Sequence, residues 1–247
     1  MRTGSNTVLI TGGSAGIGLA IAKAFVTAGN TVIVCGRDQA RLERASEVVP
    51  GIHTIQCDVA RDDDLSSLQA RIQRDFPQLN ILVNNAAMMR IYDFAESAGV
   101  SEKIEDEVHL NLIAPMKLTS LFLPILRQQA NAAIVLVSSG LAYVPVANVA
   151  VYCATKAALH SFSRSLRYRL RKTTVKVFEL LPPLVDTDLA QALHMPKIQA
   201  EQVAEELLKG LARERYEMRV GQVKSLHMVS QVAPVLAESL LNKAFSH

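Results

Sequence analysis

The chain has 247 residues, of which 49% are hydrophobic and 20% charged, an ordinary globular balance that supports a stable core without disulfides or metals. Lysine and arginine number 26 against 23 acidic residues, and a net charge of +3 is too small to imply a nucleic-acid partner. Residues 1–6 lack the apolar stretch of a signal peptide, and no segment offers the roughly 20 uninterrupted apolar residues that span a bilayer, so no membrane partner is expected.

Short apolar runs at 7–11, 31–35, 53–57, 81–83, 133–137 and 175–181 read as strands. Amphipathic patterns at 17–28, 39–49, 63–76, 103–129 and 149–171 read as helices between them. The strands are continuously apolar rather than alternating, as when helices cover both faces of a parallel sheet. Strands alternating with helices imply right-handed crossovers and an α/β doubly wound parallel sheet, the Rossmann fold. Pro115 and Pro124 predict a kink or a late helix start in the long central pattern. Towards the end, 201–213 reads as a helix, 218–220 as an edge strand, and 222–244 as helical with a break at Pro234. No repeat or linker interrupts the chain, so one domain over 1–247 is expected, with a substrate lid within about 186–215.

The first strand runs into Thr11-Gly12-Gly13-Ser14-Ala15-Gly16-Ile17-Gly18, and a helix follows. Such a junction points backbone N–H groups and a positive helix end at one spot, which suits a phosphate. Glycine lets the backbone approach the ligand closely. Phosphoryl transfer is excluded, because Leu19 stands where a P-loop lysine is required. The second strand ends at Cys35-Gly36-Arg37-Asp38, where a dinucleotide fold meets the adenosine ribose. Gly36 occupies the place of the acid that would accept from a 2′-hydroxyl, and Arg37 suits a 2′-phosphate, so NADP(H) is favoured over NAD.

The strand 133–137 leads into Ser138 and Ser139, and Tyr152 and Lys156 lie four apart near the start of a long helix, on one face. A nearby ammonium favours the phenolate, so this pair suits proton exchange with an alcohol oxygen. Arg164, Arg167, Arg169, Arg171 and Lys172 read as a solvated helix face, since no aromatic platform accompanies them. Cys35, Cys57 and Cys153 have no metal-ligand spacing, no metal site is expected, and reduced thiols fit a cytoplasmic compartment.

From Thr7 to about Asp188 the sequence resembles the short-chain dehydrogenase/reductase family. The likeness rests on the glycine turn, Asp58-Val59, Asn84-Asn85-Ala86, Asn111, Ser139, and Tyr152 with Lys156, in the family order. A nearer likeness, in residues 30–37 and 152–160, is to the branch labelled DltE. The resemblance implies that Tyr152 passes the proton, Ser139 hydrogen-bonds the substrate oxygen, Lys156 binds the nicotinamide ribose, and Asn111 helps to position a water. It also implies that Thr11, Gly12, Ser14, Gly16, Ile17 and Gly18 cradle the pyrophosphate side and that Asp58 and Val59 meet the adenine. Asn85 and Ala86 would line the adenosine ribose, Ala87 would place a methyl near the cofactor, and Pro182, Val185 and Thr187 would fix the carboxamide. Two positions depart from the family pattern: Ala87 and Pro183 stand where glycines are usual.

Met88, Met89, Leu141, Tyr143, Val144, Leu184, Leu189, His194 and Met195 are expected beyond the strand ends, around a small, mainly apolar carbonyl or alcohol substrate. The resemblance further implies a homodimer or homotetramer. The competing reading is a non-catalytic NADP-binding sensor or scaffold of the same fold, against which the intact Asn111, Ser139, Tyr152 and Lys156 set argues.

Overall fold

A computed structural model describes residues 1–247 except 92, 93, 95–98, 192, 194, 246 and 247. Its first half alternates β1 (Thr7–Thr11), α1 (Gly16–Thr27), β2 (Thr31–Gly36), α2 (Gln39–Val48), β3 (Ile52–Gln56), α3 (Asp62–Asp75) and β4 (Ile81–Asn84). There follow α4 (Val100–Val108), α5 (Ala114–Leu126), β5 (Ala132–Val137), α6 (Ala150–Leu170) and β6 (Val175–Leu181). The chain continues through α7 (Ala200–Ala212), β7 (Glu217–Arg219), α8 (Val223–Val232) and α9 (Pro234–Phe245). The strands form one sheet in the order β3-β2-β1-β4-β5-β6-β7, and every neighbouring pair is parallel. The order reverses between β1 and β4, which opens a crevice beyond their carboxyl ends.

The continuous apolar strands follow from burial on both faces. Along β1, Val8 and Ile10 join Phe25 of α1 and Leu207 of α7 in one core. Leu9 points the other way, into a second core with Leu68 of α3, Phe122 of α5 and Leu159 of α6. Successive side chains of a strand project to opposite faces, so each residue of β1 needs to be apolar.

The long central pattern is broken where proline predicts. Between α4 and α5, His109–Ile113 form a wider turn in which the Ala114 N–H donates to the His109 carbonyl, five residues back. Pro115 has no N–H to offer the carbonyl of Asn111, four residues before it. The whole run Val100–Leu126 is long and apolar enough to cross a membrane by length and composition, yet it packs here on β4, β5, α3 and α6.

Candidate active site

The glycine turn closes β1 onto α1. Gly12 has φ +63°, a conformation that L side chains rarely adopt. A Cβ on Gly18 would lie 2.2 Å from the Gly12 carbonyl oxygen, and one on Gly13 would lie 2.6 Å from Val34. No side chain caps α1, so its first N–H groups remain available at the crevice. Behind the turn, the Thr11 hydroxyl accepts from the backbone N–H groups of Asn85 (3.0 Å) and Ala86 (3.1 Å). The Asn85 side-chain amide donates to the carbonyls of Thr11 (3.0 Å) and Gly12 (3.1 Å), locking the ends of β1 and β4 together.

Beyond the turn lies a cavity of about 1040 Å³. Gly12, Ser14, Gly16 and Ile17 line it, as do Asp58, Val59, Asn85, Ala86 and Ala87. Pro182, Val185 and Thr187 line its other side. Of the residues expected to meet a dinucleotide, Thr11 and Gly18 lie behind this surface and set the backbone that forms it. Arg37 reaches the rim, exposed and without an ion pair among the described residues. The neighbouring Asp38 is otherwise engaged: its carboxylate caps α2 by accepting from the Arg41 N–H at 3.0 Å. Arg41 in turn pairs with Asp188 at 3.0 Å, joining α2 to the segment after β6. That segment folds back on itself, since the Asp186 N–H donates to the Ile198 carbonyl and the Ile198 N–H to Leu184. Within the expected lid range of 186–215, α7 is packed against α1 in the core.

The chemistry-bearing side chains meet at the floor. Tyr152 and Lys156 are 8% and 2% exposed, and both line the cavity with Ser139. The Lys156 ammonium donates to the Val137 carbonyl at 2.9 Å and stands 5.4 Å from the centre of the Tyr152 ring. Burial depresses Lys156 to about 8, against the attraction of two acids, Glu179 and Glu107. Burial also pushes the Tyr152 phenol above its ordinary value, opposed by the hydrogen-bonding influence of the Ser139 hydroxyl. Desolvation governs Tyr152, and the lowering by the adjacent ammonium that the spacing leads one to expect does not appear among its influences. Ser139 is oriented from behind, its oxygen accepting from the Leu141 N–H at 3.1 Å.

Asn111 does not reach the cavity surface. Its amide pairs with the backbone of Met88 in both directions (2.8 Å each) and donates to the Thr155 hydroxyl at 3.3 Å. The side chain thus ties the loop after β4 to α6.

Two buried acids escaped the sequence reading. Glu179 on β6 is wholly enclosed and accepts from Ser138 (2.5 Å) and Ser163 (2.8 Å), with His160 Nδ1 at 2.8 Å. A carboxylate inside an otherwise apolar strand was the available signal. Glu107 on α4 is equally enclosed, and among the described residues its oxygens have no well-formed hydrogen bond, the backbone of Arg90 being the donor that influences them. It sits in the acidic run 102–107, which reads as a solvated helix face.

The end of the cavity beyond Tyr152 and Ser139 is apolar. Met88, Met89, Leu141, Leu184, Leu189 and Met195 line it as expected, whereas Tyr143 and Val144 do not. Tyr143 turns away to accept from Arg219 at 3.1 Å and to pack on His160 and His227, and Val144 is buried. His194 lies outside the described residues. The remaining wall comes from α8 and α9, through Leu226, Val229, Leu240, Leu241 and Phe245, which sequence periodicity alone assigns to packing.

The profile of the short chain dehydrogenase family matches residues 6–197. The chain belongs to that family. An oxidoreductase of Bacillus subtilis, DltE, whose activity is uncharacterised, is 47% identical over 92% of each chain. An L-fucose dehydrogenase of Bos taurus is 30% identical over 78% of this chain and 70% of its own. A short-chain dehydrogenase of Burkholderia cenocepacia, solved with NADP, superimposes with a TM-score of 0.87 over 98% of this chain and 99% of its own, at 23% identity. One from Sphingobium yanoikuyae, solved with NADPH, gives 0.78 over 86% and 87% at 27% identity. Another, from Burkholderia phymatum, was solved with NAD. Membership makes the protein an oxidoreductase with a nicotinamide-dinucleotide site, and the uncapped end of α1 beside the glycine cradle fits such a group.

Proposed function

We propose that the protein is an NADP-dependent carbonyl reductase or alcohol dehydrogenase acting on a small, mainly apolar substrate. The observation that carries this reading is the shared cavity, with Tyr152, Lys156 and Ser139 at its floor and Arg37 at its rim. NADP(H), when bound, supplies or accepts the hydride at its nicotinamide. Arg37 would hold the 2′-phosphate by charge-assisted hydrogen bonds, and the capping role of Asp38 removes the nearest competing acid. Thr11 and Gly18 would shape the cradle, while Gly12, Ser14, Gly16 and Ile17 approach the pyrophosphate. Asp58, Val59, Asn85, Ala86 and Ala87 would enclose the adenosine half, and Pro182, Val185 and Thr187 the nicotinamide half.

In the reduction direction Tyr152 delivers its proton to the carbonyl oxygen, and Ser139 donates a hydrogen bond as negative charge develops there. Lys156 holds a positive charge beside the phenol and binds the nicotinamide ribose. Asn111 would help to position a water beside Lys156. The segment after β6, clasped by the Asp188–Arg41 pair, serves as the lid. Family likeness also supports a homo-oligomer, and the three free thiols fit a cytoplasmic location.

The deciding experiment is a carbonyl panel followed by loss of NADPH absorbance, with Tyr152→Phe as control. Turnover that requires Tyr152 supports the reading, and NADPH binding without turnover on any carbonyl or alcohol would favour a sensor.

A further inference from the structure

Lys156 and Glu179 each tie the end of β5 to α6, at adjacent positions. On α6, Lys156 and His160 stand four residues apart on one face. The Lys156 ammonium donates to the carbonyl of Val137, the last residue of β5. One residue on, the Ser138 hydroxyl donates to the Glu179 carboxylate at 2.5 Å, and His160 Nδ1 lies 2.8 Å from the other carboxylate oxygen. The Ser163 hydroxyl, shared with the His160 carbonyl (2.9 Å), reaches that second oxygen at 2.8 Å. From its own place in β6, wholly buried, Glu179 thus joins the end of β5 to α6. Tyr143 closes the outer side, edge-on to His160 at 5.2 Å and held by Arg219. A buried acid is costly, and apolar side chains of like volume serve packing at least as well. Its partners adjoin the reacting groups: Ser138 precedes Ser139, and His160 follows Lys156 by one turn.

We infer that Glu179 is a positioning residue, the strut that sets Ser139, beyond the end of β5, against Tyr152 and Lys156 on α6. This rests on the proposed hydride transfer, in which Ser139 and Tyr152 converge on one substrate oxygen. With Ser138 held, the Ser139 hydroxyl keeps its direction. With His160 and Ser163 held, α6 cannot slide and carry Tyr152 away from it. A displacement of about 1 Å at such a site costs on the order of 10²-fold in rate. The strut also carries charge. Two acids, Glu179 on β6 and Glu107 on α4, favour the Lys156 ammonium against the burial that depresses it. The Tyr152 ring flanks the ammonium on α6 itself, and Arg219, paired with Glu217, stands beyond Tyr143. Without the Glu179 charge, burial is less opposed and the ammonium is lost at lower pH.

The test reads kcat, KM and the pH profile of Glu179→Ala, Glu179→Gln and Ser138→Ala on a carbonyl that the wild type reduces. Reduction needs the ammonium, so the wild type is expected to lose rate above about pH 8. Glu179→Ala, with neither strut nor charge, is expected to fall about 100-fold in kcat, with KM for NADPH held within about threefold. Glu179→Gln can keep hydrogen bonds without the charge. It should recover most of that rate at about pH 6, while its alkaline limb stands about one unit lower. Ser138→Ala keeps the charge and loses the link to β5, so it should lose about tenfold in kcat with the limb unmoved. A Glu179→Gln limb at the wild-type pH, or a wild-type kcat in folded Ser138→Ala, overturns the inference. Should Glu179→Ala fail to fold, those two variants carry the test. Absence of turnover in the wild type would instead count against the proposed hydride transfer, and hydrogen exchange then decides for Glu179. Faster exchange confined to residues 138–142 in Ser138→Ala supports the strut, and wild-type exchange there overturns it.

Discussion

Lys156 holds its ammonium 5.4 Å from the centre of the Tyr152 ring while its hydrogen bond goes to the Val137 carbonyl. The two side chains are neighbours on α6, but β5 fixes where the charge sits. Removing the phenol should therefore leave the lysine in place. Tyr152→Phe is expected to lower turnover by about 10²–10⁴-fold with NADPH affinity kept, as measured by steady-state kinetics and fluorescence titration. A near-wild-type rate would take the phenol out of the mechanism.

Cofactor choice tests the rim. With Asp38 engaged at the cap of α2, Arg37 is the cation left to meet a 2′-phosphate. Arg37→Ala should weaken NADPH by about 10–100-fold, the size of one or two charge-assisted hydrogen bonds, and NADH far less. Equal losses for both nucleotides would disprove the phosphate role.

Gly18 tests the cradle from behind. A methyl group there would overlap the Gly12 carbonyl, so Gly18→Ala must push α1 off the turn. The expected cost is about 1–3 kcal/mol, seen as a lower melting temperature together with weaker binding of either nucleotide. Unchanged melting would show that the junction has slack which the close approach denies.

The pH dependence of stability follows from Glu107, whose carboxyl is raised from 4.5 to about 7. Below the ordinary value both folded and unfolded chains carry the proton, and folding incurs no charge-burial cost. Between about 4.5 and 7 the unfolded chain has given up the proton that the folded state keeps, so stability falls across that interval and levels off above it, where the folded state buries a carboxylate. Glu107→Gln should therefore melt higher than the wild type above pH 7, by a few degrees, with the difference fading as pH approaches 4.5. A constant difference across that range would contradict the raised carboxyl.

The sheet and its helices were legible because burial on both faces writes itself into continuous apolar strands, as in β1 and β5. The crevice end was legible because a glycine turn, an arginine after β2 and a tyrosine–lysine pair each carry their own chemistry. What was not legible depends on which way a side chain faces. Glu107 belongs to a charged run, and only the packing of α4 on α6 encloses it. Tyr143 lies close in sequence to Ser139, yet Arg219 and two histidines draw it away from the cavity. The apolar residues of α8 and α9 match an ordinary core pattern, and periodicity does not say that what they enclose is empty space. The wider turn at 109–113 was signalled by Pro115, but the pairing of Asn111 with Met88 needed the loop after β4 in place.

The wall built by α8 and α9 has a consequence for how this scaffold can change. These helices pack mainly on each other, and α8 also touches the short turn Gly140–Ala142, while Val232, Val235, Leu236 and Leu240 stay exposed along them. In the proposed reaction these helices would shape what enters, while β5 and α6 would carry the chemistry, and the two meet where Leu241 and Phe245 pack against the Tyr152 cluster. Exchanging this helical pair between relatives would retune what enters the cavity while the reaction itself stayed the same.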